Sequence, residues 1–205
     1  SYVVYGSDTR SAAALDLSDL NGTNGFQING IDADDQSGRS VSSAGDVNGD
    51  GIDDIIIGAY DADPDGNSEA GESYVVYGSD TRSAAALDLS DLNGTNGFQI
   101  NGIDAYDDSG TSVSSAGDVN GDGIDDLIIG AYGANSYTGE SYVVYGSDTR
   151  SAAALDLSDL NGTNGFRIDG IDASDYSGLS VSSAGDVNGD GFDDLIIGAA
   201  YADPY

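Results

Sequence analysis

The chain contains no cysteine, histidine, lysine, methionine or tryptophan. Without cysteine there is no disulfide, no thiolate-held zinc and no thiol nucleophile. Without histidine and lysine the commonest general base, the imidazole metal ligand and the Schiff-base amine are gone. Carboxylate chemistry remains, but no pair of acids stands apart from the others, so the sequence reads as non-enzymatic. Basic charge is scarce as well. Five arginines, Arg10, Arg39, Arg82, Arg150 and Arg167, face 37 acids, for a formal charge of −32. Nucleic acid and anionic lipid both require clustered positive charge, so neither is an expected partner. The expected partners of this much carboxylate are cations. No apolar run approaches the roughly 20 residues of a membrane span, so membrane insertion is not expected, and no leader segment is visible. The sequence opens at Ser1 in mid-repeat, as a processed piece, a fragment or a designed sequence would.

What is present is repetition. SYVVYGSDTRSAAALDLSDLNGTNGF occurs three times unchanged, from Ser1, Ser73 and Ser141, at spacings of 72 and 68 residues. The 205 residues form one repeat domain with units 1–72, 73–140 and 141–205. The length difference falls in DADPDGNSEAGE after Tyr60, which is GANSYTGE after Tyr132, so this segment is expected to be a surface loop. Each unit holds four strand-like runs, in the first unit Ser1–Gly6, Gly25–Ile31, Gly38–Ala44 and Asp54–Tyr60. The YVVY and III runs are β-branched, aromatic and continuously apolar, as suits strands covered on both faces. The RSVSSA run is built of small residues, which fit where strands crowd together. Ser11–Leu15 reads either as a helical turn or as a connecting loop whose Leu15, Leu17 and Leu20 tuck onto a sheet. Four short strands per recurring unit point to an all-β propeller or solenoid. High charge with a mean hydropathy of −0.25 belongs to chains that fold poorly alone, and bound cations would reconcile it with the regular patterning.

Between the third and fourth runs every unit reads D-V-N-G-D-G-x-D-D. Side-chain oxygens at positions 1, 3, 5 and 9 are Asp46, Asn48, Asp50 and Asp54, and the carbonyl of Ile52 at position 7 adds a fifth. The other copies are Asp118, Asn120, Asp122, Ile124 and Asp126, then Asp186, Asn188, Asp190, Phe192 and Asp194. Calcium takes six to eight oxygens in flexible geometry, which this set plus water supplies, whereas magnesium demands a tighter, wetter octahedron. Gly51 at position 6 permits the sharp turn. The loop is not an EF-hand, because position 12 is Ile57, Ile129 or Ile197 rather than glutamate. The expectation is about three Ca²⁺ per chain, one per repeat, with Asp53, Asp125 and Asp193 in an outer shell or solvated. Asp32, Asp34 and Asp35 are read first as a solvated face and only second as a weaker cation site.

The unit G-x-S-V-x-x-A-G-D-V-N-G-D-G-x-D-D-L-I-I-G-A, followed by Y-V-V-Y-G, resembles the FG-GAP repeat, the blade of integrin α-subunit β-propellers and of many bacterial surface proteins. The resemblance covers essentially the whole chain and implies calcium at the aspartate-rich loops named above. Two departures are visible. The Phe-Gly pair is Ser37-Gly38, Ser109-Gly110 and Ser177-Gly178, and Gly-Ala-Pro is Gly58-Ala59-Tyr60, Gly130-Ala131-Tyr132 and Gly198-Ala199-Ala200.

With strands ordered as in that family, the chain comprises three blade-equivalents of a propeller. Two complete four-stranded blades lie near 38–103 and 110–171, with half-blades at both termini. Unpaired edges invite another chain, so self-association is expected, as a six-bladed dimer first and a filament second. The function implied is an extracellular or cell-surface calcium-binding structural or adhesive module. The alternative is a carbohydrate- or protein-binding accessory module of a larger secreted protein, for which Tyr106, Tyr132, Tyr137, Tyr176, Tyr201 and Tyr205, outside the YVVY strands, are the candidate contacts to a glycan or surface protein.

Overall fold

The repeated alternation of β-branched runs with Gly- and Asp-rich breaks produces fourteen short strands among the described residues, which are 1–8 and 13–203 of this computed structural model. Arg10, Ser11 and Tyr205 lie outside them. In chain order the strands are β1 (Tyr2–Val4), β2 (Gly25–Asn29), β3 (Ser40–Gly45), β4 (Asp54–Ala59), β5 (Glu72–Val76), β6 (Ala86–Asp88), β7 (Gly97–Asn101), β8 (Ser112–Gly117), β9 (Asp126–Ala131), β10 (Glu140–Val144), β11 (Ala154–Asp156), β12 (Gly165–Asp169), β13 (Ser177–Gly185) and β14 (Asp194–Ala199). Two sheets carry the four antiparallel strands in the expected order, β3-β4-β5-β7 and β8-β9-β10-β12. The terminal pairs β1-β2 and β13-β14 are the corresponding outer and inner halves of such a sheet. Among the described residues they do not pair with one another, and no sheet closes.

The Ile-rich strands are apolar throughout because both faces are covered. Ile56, Val75 and Phe98 of one sheet pack with Val113, Leu127 and Tyr142 of the next. The alternate residues Ile57, Tyr74 and Val76 pack backward on Phe26 and Ile28, and Ile128 packs forward on Val181. The core therefore lies between successive sheets. The joint is close enough that backbones touch: a Cβ on Gly58 would sit 1.9 Å from the Gly110 carbonyl oxygen, and one on Gly130 1.9 Å from that of Gly178.

Ser11 and Ala12 of the Ala-Leu segment lie outside the described residues, and residues 13–16 form a connecting loop, one of the two readings the sequence offered. In the second and third units the segment forms β6 and β11, which pair in parallel with β2 and β7, the outer strands of the preceding sheet. A single 3-10 turn follows each, carrying Leu89 or Leu157 into the core. In the first unit, residues 14–16 have no such strand partner. The short connection after β9 is a tight turn that is left-handed at Asn135, Ser136 and Tyr137.

Candidate metal centre

The aspartate-rich loops join small-residue strand to Ile-rich strand: 46–53 between β3 and β4, 118–125 between β8 and β9, and 186–193 between β13 and β14. Gly49 and Gly51 adopt φ of 73° and 87°, which wraps the chain around its own acidic side chains. Asp46 Oδ1 and Asn48 Oδ1 both accept the N–H of Asp50, at 3.0 and 2.8 Å. Asp46 Oδ2 accepts from Gly51 at 2.8 Å, and Asp50 Oδ1 from Ile52 at 2.9 Å. The second loop repeats this pattern through Asp118, Asn120 and Asp122, and the third through Asp186 and Asp190. Positions 1, 3 and 5 therefore point their oxygens at one short stretch of backbone, and the donor set is oxygen throughout. Oxygen donors suit a hard cation such as calcium, but the three carboxylates at positions 1, 5 and 9 of a loop do not gather within 4.8 Å of one another in any of the three copies.

Position 9 lies deeper. Asp54 and Asp126 are buried, and each bridges its own loop to the start of the next turn. Asp54 accepts from Val47 at 3.0 Å and Gly78 at 2.7 Å. Asp126 accepts from Val119 at 3.0 Å and Gly146 at 2.9 Å. Burial, the larger influence, pushes these carboxyls up to about 6 and about 7, and the loop's other carboxylates push the same way. A cation beside them would reverse that pressure. In the more open third loop, Asp194 accepts from Val187 and from the Asn188 side chain. The backbone N–H of Gly191, aided by those of Gly189 and Asp190, holds the Asp186 carboxyl below the usual range.

At the eighth position Asp53 is exposed, while Asp125 and Asp193 each reach a neighbouring loop. Asp125 Oδ2 accepts the N–H of Asp46 at 2.9 Å, and Asp193 Oδ2 accepts that of Asp118 at 2.9 Å. Each carboxylate thus holds the first residue of the preceding loop. Position 7 also reaches backward: Phe192 lies against Gly121, and Ile124 against Gly49. The loops form a chain of contacts along one end of the molecule.

At the opposite ends of the strands the repeats diverge. Asp61, Glu69 and Asp108 bring carboxylate oxygens within 4.8 Å of one another, beside a hollow also lined by Asp34, Asp35 and Asp63. Burial raises the Asp108 carboxyl to about 6, opposed by a hydrogen bond from the Tyr132 side chain. One joint further along, tyrosines occupy the equivalent place. Tyr176 stands at ring-centroid distances of 5.8 Å from Tyr132, 5.2 Å from Tyr137 and 4.8 Å from Tyr201. Tyr106 is exposed and takes no part in this cluster.

The FG-GAP repeat model matches residues 37–76, 109–144 and 177–205, together just over half of the chain, and each match includes one aspartate-rich loop. The chain is 31% identical over 171 residues to integrin alpha-5 of Xenopus laevis, covering 79% of this chain and 14% of that protein. It is 33% identical over 172 residues to phosphatidylinositol-glycan-specific phospholipase D of Bos taurus, covering 80% and 19%. It is 36% identical over 177 residues to integrin alpha pat-2 of Caenorhabditis elegans, covering 82% and 13%. The chain spans less than a fifth of the length of each of these relatives.

Proposed function

The chain belongs to the FG-GAP repeat family, and on that premise we propose that it is a non-catalytic, extracellular or cell-surface repeat module, structural or adhesive, in which one calcium ion per aspartate-rich loop stiffens the joint between successive sheets. The observation that carries this reading is the convergence of position 1 and position 3 oxygens over a single backbone N–H, repeated in two of the loops. Asp46, Asn48, Asp50, the Ile52 carbonyl and Asp54 would hold the ion in the first loop, with their counterparts in the other two. The ion supplies local charge neutralisation, and the residues supply its cage. Three divalent ions would move the formal charge only from −32 to about −26, so their effect is local. Affinities of roughly 10⁻⁴–10⁻³ M suffice where calcium is abundant outside cells. The phospholipase likeness does not bring catalysis with it, since the matched part is a minor share of that protein and the chain lacks histidine and lysine. No helix among the described residues is long and apolar enough to cross a membrane.

Calorimetric titration of chelator-treated protein with CaCl₂ tests the reading. The expected result is three ions per chain, and none for the triple variant Asp50→Ala, Asp122→Ala, Asp190→Ala. Absence of binding in the unaltered chain would refute it.

A second reading, glycan recognition, is favoured by one specific observation. Four of the seven tyrosines outside the YVVY strands meet at one joint, on the end of the molecule where the otherwise near-identical repeats differ. Tyr137 and Tyr201 remain exposed and could stack on sugar rings, with hydroxyls available for hydrogen bonds. A neutral-glycan array in calcium buffer decides it: saturable binding that is lost in Tyr137→Ala with Tyr201→Ala supports this reading, and no binding removes it.

A further inference from the structure

We propose, resting on the calcium reading of these loops, that the loops are coupled in series: Asp125 and Asp193 are positioning residues for the loop in front of their own, and occupancy of one loop strengthens binding in its neighbour. Position 9 then serves its own loop and position 8 the preceding one.

The seam between successive loops is built the same way twice. Asp125 Oδ2 accepts the N–H of Asp46 at 2.9 Å, and the Asp125 N–H donates to the Asp46 carbonyl at 3.3 Å. Asp193 brackets Asp118 alike, accepting at 2.9 Å and donating at 3.2 Å. Bonds to both the N–H and the carbonyl of one residue fix its direction as well as its place, where a single bond would leave a hinge. The approach is close. A Cβ on Gly45 would stand 2.2 Å from Asp125 Oδ2, and one on Gly117 2.1 Å from Asp193 Oδ2. Glycine at these two positions therefore answers to the neighbouring carboxylate as well as to its own φ of 74° or 72°. Further contacts close the seam. Ile124 packs on Gly49 and Phe192 on Gly121, and the Ser147 N–H reaches the Val47 carbonyl at 2.9 Å.

What the bracket holds is the first residue of the candidate ligand set. Both carboxylate oxygens of Asp46 face into its loop, on the N–H groups of Asp50 and Gly51, and those of Asp118 do the same. Because the carboxylates at positions 1, 5 and 9 do not lie within 4.8 Å of one another, gathering them around an ion requires movement. Moving a side chain whose backbone is already fixed costs less ordering than moving one whose backbone must be ordered too. Asp125 stands between Ile124 and Asp126, the candidate position 7 carbonyl and position 9 carboxylate of the second loop. Ordering those two residues orders Asp125, and through it Asp46. The same link runs from the third loop through Asp193 to Asp118. Coupling of this kind is mutual, each site raising the other's affinity by one factor. Repulsion between ions in adjacent loops opposes it, but salt screens that repulsion and a carboxylate stands at each seam.

A double-mutant cycle on the full chain tests the inference. Calcium titration is followed by the amide NMR resonances of Gly51 and Gly123, position 6 of the first and second loops, with the third loop silenced by Asp190→Ala. Silencing the second loop as well, by Asp122→Ala, is expected to move the Gly51 midpoint to about tenfold higher calcium. Asp122→Asn gives the same comparison without truncating the side chain. In an Asp125→Ala background the Gly51 midpoint should already be raised, and silencing the second loop should move it no further. Asp125→Asn, which keeps an acceptor oxygen for the Asp46 N–H, should restore most of the coupling. A Gly51 midpoint indifferent to the second loop, or a coupling undiminished in Asp125→Ala, would overturn the inference while leaving the calcium reading intact. Silence of both glycines toward calcium would overturn the two together.

Discussion

At the end of the second loop two adjacent aspartates face in opposite directions. Asp126 turns inward to bind the backbone of its own sheet, while Asp125 turns outward to hold the first residue of the preceding loop. Replacing Asp125 or Asp193 with alanine is expected to cost about 1.5 kcal/mol each, as loss of a hydrogen bond to a charged acceptor does, without changing the number of calcium ions bound. Asp53→Ala should cost much less, since that carboxylate is exposed. Urea denaturation at saturating calcium separates the cases. Asp108 gives a pH signature. Its carboxyl is raised to about 6, mainly by burial, so the ionised form strains the fold above that pH, while below it the folded group is already neutral. Asp108→Asn should therefore raise Tm at pH 8 by several degrees and have less effect at pH 5. The candidate ligands were legible because they lie contiguously within one motif. The role of Asp125 was not, since the N–H that donates to it is 79 residues away in sequence and depends on which loop stands beside it.

The parallel strands β6 and β11 were the elements the sequence concealed. Three residues of Ala-Leu-Asp carry no period that separates strand from turn, and their pairing is to a different unit. The usable signal was the recurrence of Leu-Asp-Leu in every copy, which marks a leucine needed at a fixed place. Leu89 and Leu157 fill that place, 2% exposed, whereas Leu17 is 45% exposed. Leu157→Ala should cost about 2–5 kcal/mol and Leu17→Ala much less in the isolated chain, measured by denaturant midpoint. The YVVY and Ile-rich strands were legible because continuous burial on both faces leaves a continuous apolar run. The left-handed turn at Asn135–Tyr137 was not, because none of its three residues is glycine.

At the scale of the whole molecule, two complete four-stranded sheets stand between two terminal strand pairs, in the strand order read from the sequence. Carboxylates crowded into a chain of −32 repel one another, and salt screens that repulsion over about 8 Å at physiological ionic strength. Low salt should therefore lower Tm, and calcium should oppose the fall by neutralising the loops. Calcium also binds, on this reading, only where the loop is folded, so it must stabilise the native chain by mass action. The most direct measurement is Tm as a function of free calcium, starting from chelator-treated protein. A rise that continues with the logarithm of calcium concentration, and that is abolished in the Asp50→Ala, Asp122→Ala, Asp190→Ala variant, is the expected result. A Tm indifferent to calcium over the micromolar to ten-millimolar range would contradict it.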